Sequence, residues 1–366
     1  MKRALGGLAL GLLVGGPAVA QEAALQSSQQ NNVRLRVDSV FRQEWTKDIF
    51  VPGGPNLDED RQRFQARPRL EFGRDRFTVG VGGDFNYSSD TNTEPKPTLM
   101  RDNYKSRDAR LDLAFARVEP LRWLRIEGGR FLMPVGLTEM LWDRDLRPQG
   151  AALTLQHKDA SGVSRLGLTG LWARGSHVFE DQDVQMILVS GQATFTGSAQ
   201  SRFQLVGSYL DYIHPDTLET MIHRQNTQIL GEIVHDYRVL DLVARIGQEG
   251  GMPVQLVADF CWNTAVSDNR NGLWLAAVLG SLKDSRARAE YNYAKVDKDA
   301  TLGAYATDDF FWSTGWEGHR GELATRVSDK SSFHAIGQYQ KFKDSPRPEE
   351  RDHWVRRFRL EVRVTY

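Results

Sequence analysis

The chain has 366 residues, with 47 Lys plus Arg against 47 Asp plus Glu. This balance removes compositional support for nucleic-acid binding, and a single cysteine, Cys261, removes both a disulfide framework and a cysteine metal cluster. Mean hydropathy is negative while aromatics make up 10% of residues, which fits strands with one wet face and one apolar face.

In chain order, Lys2 and Arg3 precede an apolar run over 4–14 and a small-residue site at Ala18-Val19-Ala20. The pattern predicts a secretory signal peptide over 1–20, removed before Gln21. The run is short of the roughly 20 apolar residues that a spanning helix needs. Without Lys2 and Arg3 the bases fall to 45 against 47 acids, a formal charge of −2. Residues 21–32 are rich in Gln, Ser and Asn and read as a polar periplasmic lead-in.

From Val33 to residue 366, segments of about ten residues alternate apolar and polar side chains. Val33, Leu35 and Val37 alternate with Arg34, Arg36 and Asp38. Phe64, Ala66, Leu70 and Phe72 alternate with Arg63, Gln65, Arg67, Arg69 and Glu71. Phe77, Val79, Val81, Phe85 and Tyr87 follow, and Leu111 and Leu113 flank Asp112. Further segments lie over 166–172, 184–195, 203–212, 254–262, 273–279, 287–293 and 333–339. In the last of the series Phe358, Leu360, Val362, Val364 and Tyr366 share one face, and Arg357, Arg359, Glu361 and Arg363 the other.

The connections alternate in length. Tight turns fall at 73–75, 119–121, 159–162 and 283–285; polar loops span 46–60, 88–107, 134–150, 298–317 and 344–352. About sixteen strands result, with 221–250 open to either one long strand or two short ones. Short turns alternating with long loops, and strands apolar on one side, are the pattern of a transmembrane antiparallel up-and-down β-barrel. Lipid cannot hydrogen-bond a backbone, so such a sheet must close on itself. An arginine facing lipid at mid-bilayer costs about 2–4 kcal/mol, so the alternating arginines belong in the lumen. Pro68 is a misfit within its strand because it has no N–H to give the ladder.

The stretch Gly129-Arg130-Phe131-Leu132-Met133-Pro134-Val135-Gly136, continuing to Leu141-Trp142-Asp143-Arg144-Asp145-Leu146-Arg147-Pro148-Gln149-Gly150, resembles the "putative porin" family of Gram-negative outer membranes, a broad relative of the phosphate-selective porins O and P. Val296 to Ala300 with Thr307 to Phe310, and Arg61 to Leu70, carry the same resemblance. It implies an outer-membrane barrel of about sixteen strands, a third outside loop folded into the lumen, and a homotrimer. Leu132 stands where the phosphate-selective pattern often has Lys, and Val135 where it often has an aromatic residue.

The expected function is passive diffusion of small hydrophilic solutes or ions, with a preference for anions and no cofactor. A ring of one charge sign in a pore concentrates the opposite ion. The candidate lining is Arg34, Arg36, Arg63, Arg67, Arg69, Glu71, Arg286, Arg288, Glu290, Arg357, Arg359, Glu361 and Arg363. Internal pairing of these arginines with Asp38 and the glutamates is the bland alternative. Glu139, Asp143, Arg144, Asp145 and Arg147 form the candidate constriction loop. Asp297, Asp299, Asp308 and Asp309 crowd one loop as oxygen ligands for calcium, against the simpler reading of a solvated acidic loop. The expected partners are outer-membrane lipid and the barrel-insertion machinery, with the strand ending at Tyr366 as its recognition element. A non-conducting adhesin or structural barrel is the alternative. An enzyme is the lesser one, because no Gly-x-Ser-x-Gly or His-Glu-x-x-His motif occurs.

Overall fold

The computed structural model describes residues 32–51, 53–89, 108–159, 164–176, 184–197, 201–218, 225–249, 252–307, 310, 314–345 and 347–366. The expected signal peptide and all but the last residue of the lead-in lie outside them, as does most of the 88–107 loop.

Eighteen strands occur among the described residues: β1 (Asn32–Ile49), β2 (Leu57–Arg74), β3 (Phe77–Ser88), β4 (Asp108–Leu121), β5 (Leu124–Arg130), β6 (Pro148–Lys158), β7 (Ser164–Ser176), β8 (Gln185–Thr196), β9 (Ser201–Ile213), β10 (Gln228–Ile229), β11 (Glu232–Ile233), β12 (Tyr237–Gln248), β13 (Val254–Asn263), β14 (Asn271–Ser281), β15 (Ala287–Val296), β16 (Trp316–Ser328), β17 (Ser331–Phe342) and β18 (Trp354–Thr365). Sixteen of them close a barrel in which each strand pairs antiparallel with its chain neighbour. β10 and β11 form a separate two-stranded hairpin, and β12 pairs directly with β9. The 221–250 stretch therefore supplies one barrel strand. Closure joins β1 to β18, with Glu44 opposite Arg359 and Trp45 opposite Phe358.

Exposure separates the two faces of the wall. Phe358 is 45% exposed while Arg359, one residue on, is 2% exposed. Leu35, Phe41, Phe64, Leu205 and Leu256 are exposed apolar residues on the outside. Aromatics gather outside near the long-loop end: Trp45 stacks on Phe358, and Tyr339 lies 4.2 Å from Trp354 with nearly parallel rings. In the same group Tyr291 Oη and His319 Nδ1 are 2.7 Å apart. At the opposite end Lys330 sits over the Tyr366 ring. Two aromatic belts flanking an apolar band suit a bilayer and its interfaces.

Three local features depart from simple alternation. β1 and β2 run further than the composition suggests, so the loop expected over 46–60 shrinks to 50–56. On β4, Leu111 faces outward but Asp112 and Leu113 both face inward, because Gly82 pairs with Leu113 and Gly83 with Leu111. A β-bulge absorbs the extra residue and reverses the phase of all that follows. Pro68 faces outward, and there the β2–β3 ladder jumps from Ala66–Phe85 to Arg69–Gly82. The break falls where the missing N–H would otherwise leave a gap in the pairing.

Candidate functional site

The inside of the barrel has two unlike halves. From β7 to β14 many inward side chains are apolar, including Leu171, Met186, Leu188, Val206, Leu210, Val239, Val243 and Trp274. Residues 131–147 fold against them. Phe131, Met140, Leu141 and Leu146 of this loop are each at most 1% exposed. The loop meets inward-facing residues on both sides of the bore. Arg245 Nη2 donates to the Gly136 carbonyl over 2.7 Å, and Thr138 Oγ1 donates to Asp259. Met140 lies against Cys261 and Gly272. On the other side Asp145 meets Arg67 at 2.8 Å, and Glu139 meets Arg320 at 3.4 Å. The loop therefore crosses the lumen, and the strand resumes at Pro148 rather than after Gly150.

Gly129, at the turn-in, has φ +109°, and a Cβ there would lie 2.3 Å from the Ala114 carbonyl oxygen. Only glycine fits this conformation so close to the next strand. From the long-loop side, residues 297–307 brace the crossing. The Asp143 and Thr307 amides donate to the carbonyls of Tyr305 and Glu139 at 2.7 and 2.9 Å. Trp142, Tyr305 and Tyr212 stack in sequence at about 5.5 Å. Asn226 in turn holds this second loop, donating to the Lys298 and Thr301 carbonyls and accepting from Gly303 N.

The other half of the interior is charged. Glu44 is ringed by guanidiniums, with Arg359 at 2.5 Å, Arg61 at 2.6 Å and Arg357 at 4.0 Å. Arg63 projects from the same face of β2 as Arg61 and is buried. Arg363 pairs with Glu361 at 2.6 Å, and Arg42 reaches the same Glu361 at 2.7 Å. Arg67 joins Asp84 (3.3 Å) as well as Asp145, and Arg69 stands 4.0 Å from Glu71. Arg36 pairs with Asp38 at 2.8 Å, and Arg34 is exposed near the short-turn end. Arg288 pairs with Glu290 and Glu322. Arg286 stands apart from this set. It occupies the exposed turn before β15 with φ 58°, and its carbonyl accepts from Arg326 N. Lining arginines outside the sequence-derived set include Arg42, Arg61, Arg110, Arg117, Arg245, Arg320 and Arg326. Their signal is the same period-two alternation.

The five loop candidates divide by exposure. Glu139, Arg144 and Asp145 border the bore, with Arg144 3.5 Å from Glu139. Asp143 and Arg147 are buried. Asp143 accepts from the Asp145 amide at 2.7 Å. Arg147 pairs with Asp112 at 3.0 Å and donates to the Arg144 and Leu146 carbonyls.

The calcium candidates do not converge. Asp297 accepts from Lys343 and the Asn271 amide, whereas Asp299 accepts from the Thr227 amide and the Tyr237 hydroxyl. Asp308 and Asp309 lie outside the described residues. Among the described residues no group of His, Cys, Asp or Glu forms a metal site. Burial works to lower the pKa of Lys343, but its hydrogen bonds and ion pairs to Asp297 and Asp344 outweigh that and hold it above the ordinary lysine value.

A sixteen-stranded closed barrel with an apolar skin, a charged inner wall and a loop across the bore defines an outer-membrane channel protein. Residues 20–213 match the family model described as "Putative porin", and the chain belongs to that family. Among solved structures, the fold is similar to OprB of Pseudomonas putida in a high-pH form (TM-score 0.60, 11% identity, covering 96% of this chain and 97% of that one). It is also similar to OmpF of Salmonella typhi in complex with daunomycin (0.54, 12%, 92% and 98%). A third is OccAB1 of Acinetobacter baumannii (0.52, 12%, 93% and 99%). No curated protein sequence gives a significant match. Family and fold point to a channel rather than an enzyme and place the protein in the Gram-negative outer membrane.

Proposed function

We propose that small hydrophilic solutes diffuse passively through the charged half of the lumen, with a preference for anions. One observation carries the preference. The adjacent strands β18, β1 and β2 turn ten arginines inward: Arg34, Arg36, Arg42, Arg61, Arg63, Arg67, Arg69, Arg357, Arg359 and Arg363. The same faces carry five acids, Asp38, Glu44, Glu59, Glu71 and Glu361. Ten minus five leaves five positive charges on one continuous wall. In a watery bore with low-dielectric walls such an excess draws anions and repels cations. Glu139 and Asp145 on the loop set opposite charge against that wall, so a permeating ion crosses a transverse field.

The chain works as a homotrimer in the outer membrane, placed there by the barrel-insertion machinery, which reads the strand ending at Tyr366. The test is the reversal potential of purified protein in planar bilayers under a tenfold potassium chloride gradient. Anion selectivity gives a potential of the chloride sign, and charge-neutralising Arg36→Gln with Arg69→Gln moves it toward zero. A potassium-signed potential in the parent protein refutes the reading.

A further inference from the structure

Ser332 and His334 are two residues apart on β17 and both face inward. Ser332 Oγ lies 2.7 Å from His334 Nε2, and His334 Nδ1 lies 2.8 Å from Glu322 Oε1 on the neighbouring strand β16. We propose that Ser332, His334 and Glu322 form a hydrolytic site, at the periplasmic mouth of the barrel, for small hydrophilic esters carrying a negative charge. A hydroxyl bonded to one imidazole nitrogen, with a carboxylate on the other, is the arrangement that activates a serine nucleophile.

The surroundings supply the remaining parts. Ser332 is the second residue of β17 and only half-buried, so a solute reaches it from the periplasm without crossing the inward loop. Its cross-strand partners are Arg326 on β16 and Arg363 on β18, both inward-facing. Arg363 is held 2.6 Å from Glu361 and Arg326 lies 3.9 Å from Asp329, and the two arginines put positive charge on the strands either side of Ser332, which favours an anionic acyl group. Glu322 is fixed by Arg320 at 3.1 Å and Arg288 at 3.2 Å, with Arg363 at 3.9 Å. It is a positioning residue that holds the His334 ring in the tautomer with Nε2 free to accept.

In the reaction Ser332 Oγ attacks the ester carbonyl carbon while its proton passes to His334 Nε2. The carbon–oxygen ester bond breaks, and the leaving alcohol takes that proton. Water then attacks the acyl-serine, His334 accepting and returning one proton, which releases the carboxylic acid and restores Ser332. No oxidant, metal or cofactor enters the balance. The site needs no conductance, so its test is independent of the diffusion reading.

The experiment uses full-length protein folded in detergent, with p-nitrophenyl succinate as substrate and a fluorophosphonate probe for covalent capture. The parent protein should hydrolyse the ester above the rate of detergent alone, and peptide mapping should find the probe on Ser332. Ser332→Ala should abolish labelling, and His334→Gln should lower the rate by about 10²-fold or more. Glu322→Gln should keep labelling measurable but move the pH–rate profile, a change that loosened packing alone would not make. Each variant is first shown to be folded by its heat-modifiable mobility. Absence of hydrolysis by the folded parent, or probe mapping to another serine, overturns the proposal. So does a rate that survives Ser332→Ala.

Discussion

Leu141 is fully buried at the centre of the lumen-crossing loop, so Leu141→Ala tests whether apolar packing holds the loop in place. Burying a leucine contributes about 1.5–3 kcal/mol by transfer alone, and the cavity left by truncation raises the cost to about 2–5 kcal/mol. The barrel wall has its own closed ladder of backbone hydrogen bonds, so this loss falls on docking of the loop. At about 3 kcal/mol, and about 1.4 kcal/mol per tenfold, the undocked population should rise by roughly 150-fold. Polar ties remain, among them Arg245 to Gly136, Thr138 to Asp259, Asp145 to Arg67, Glu139 to Arg320 and Arg147 to Asp112, so the loop should visit the undocked state rather than leave for good. Single-channel recording should then reveal brief steps to a larger conductance that are rare in the parent. Heat-modifiable mobility on gels should be unchanged. Conductance and open-channel noise identical to the parent would refute the reasoning, because the loop would then be held by its polar ties alone.

Gly129→Ala should lower the yield of folded barrel several-fold in a refolding assay read by gel mobility, since the new Cβ would strike the Ala114 carbonyl. Asp241 and Asp259 face the loop together as neighbouring buried carboxyls, and Asp259 accepts from Thr138 of the loop. Asp241→Asn adds a donor there and should slow protease cleavage within 131–147; faster cleavage would count against the assignment. Lys343 has a raised pKa in the folded protein, so its ion pairs stabilise the loop fully below the ordinary lysine range and are lost as pH rises through the raised value. Lys343→Met should therefore speed proteolysis within 297–307 at pH 8, and its difference from the parent should shrink as pH rises through the raised value. A difference between the two that stays constant across that rise would rule out the charge as its source.

Much of this was legible in the residues. The period-two pattern of Phe358 to Tyr366 showed which face of β18 points outward, while entry of the 131–147 loop into the lumen was implied by the family resemblance and not by the residues of the stretch themselves. The bulge at Asp112 was not legible, because two inward residues in a row look like ordinary alternation until Gly82 and Gly83 set the pairing. The apolar inner half was also missed. Leu171, Met186, Leu188 and Val206 form near-continuous apolar runs with their outward neighbours, and such runs carry no period to say which side faces in. The division of the constriction loop into bracing and bore-facing charges was hidden for a related reason. Asp143 and Arg147 have the same chemistry as Asp145 and Arg144, and only the direction of each side chain separates them.

The unlike halves of the interior have a practical consequence. Tuning what passes and keeping the gate in its seat are tasks assigned to different stretches of polypeptide, since β18, β1 and β2 carry the excess arginine and β7 to β14 receive the loop's oily side chains. Charge on the first group can drift, or be rewritten by a designer, without unseating what rests on the second. A chain built this way can change its clientele while its doorway keeps the same frame.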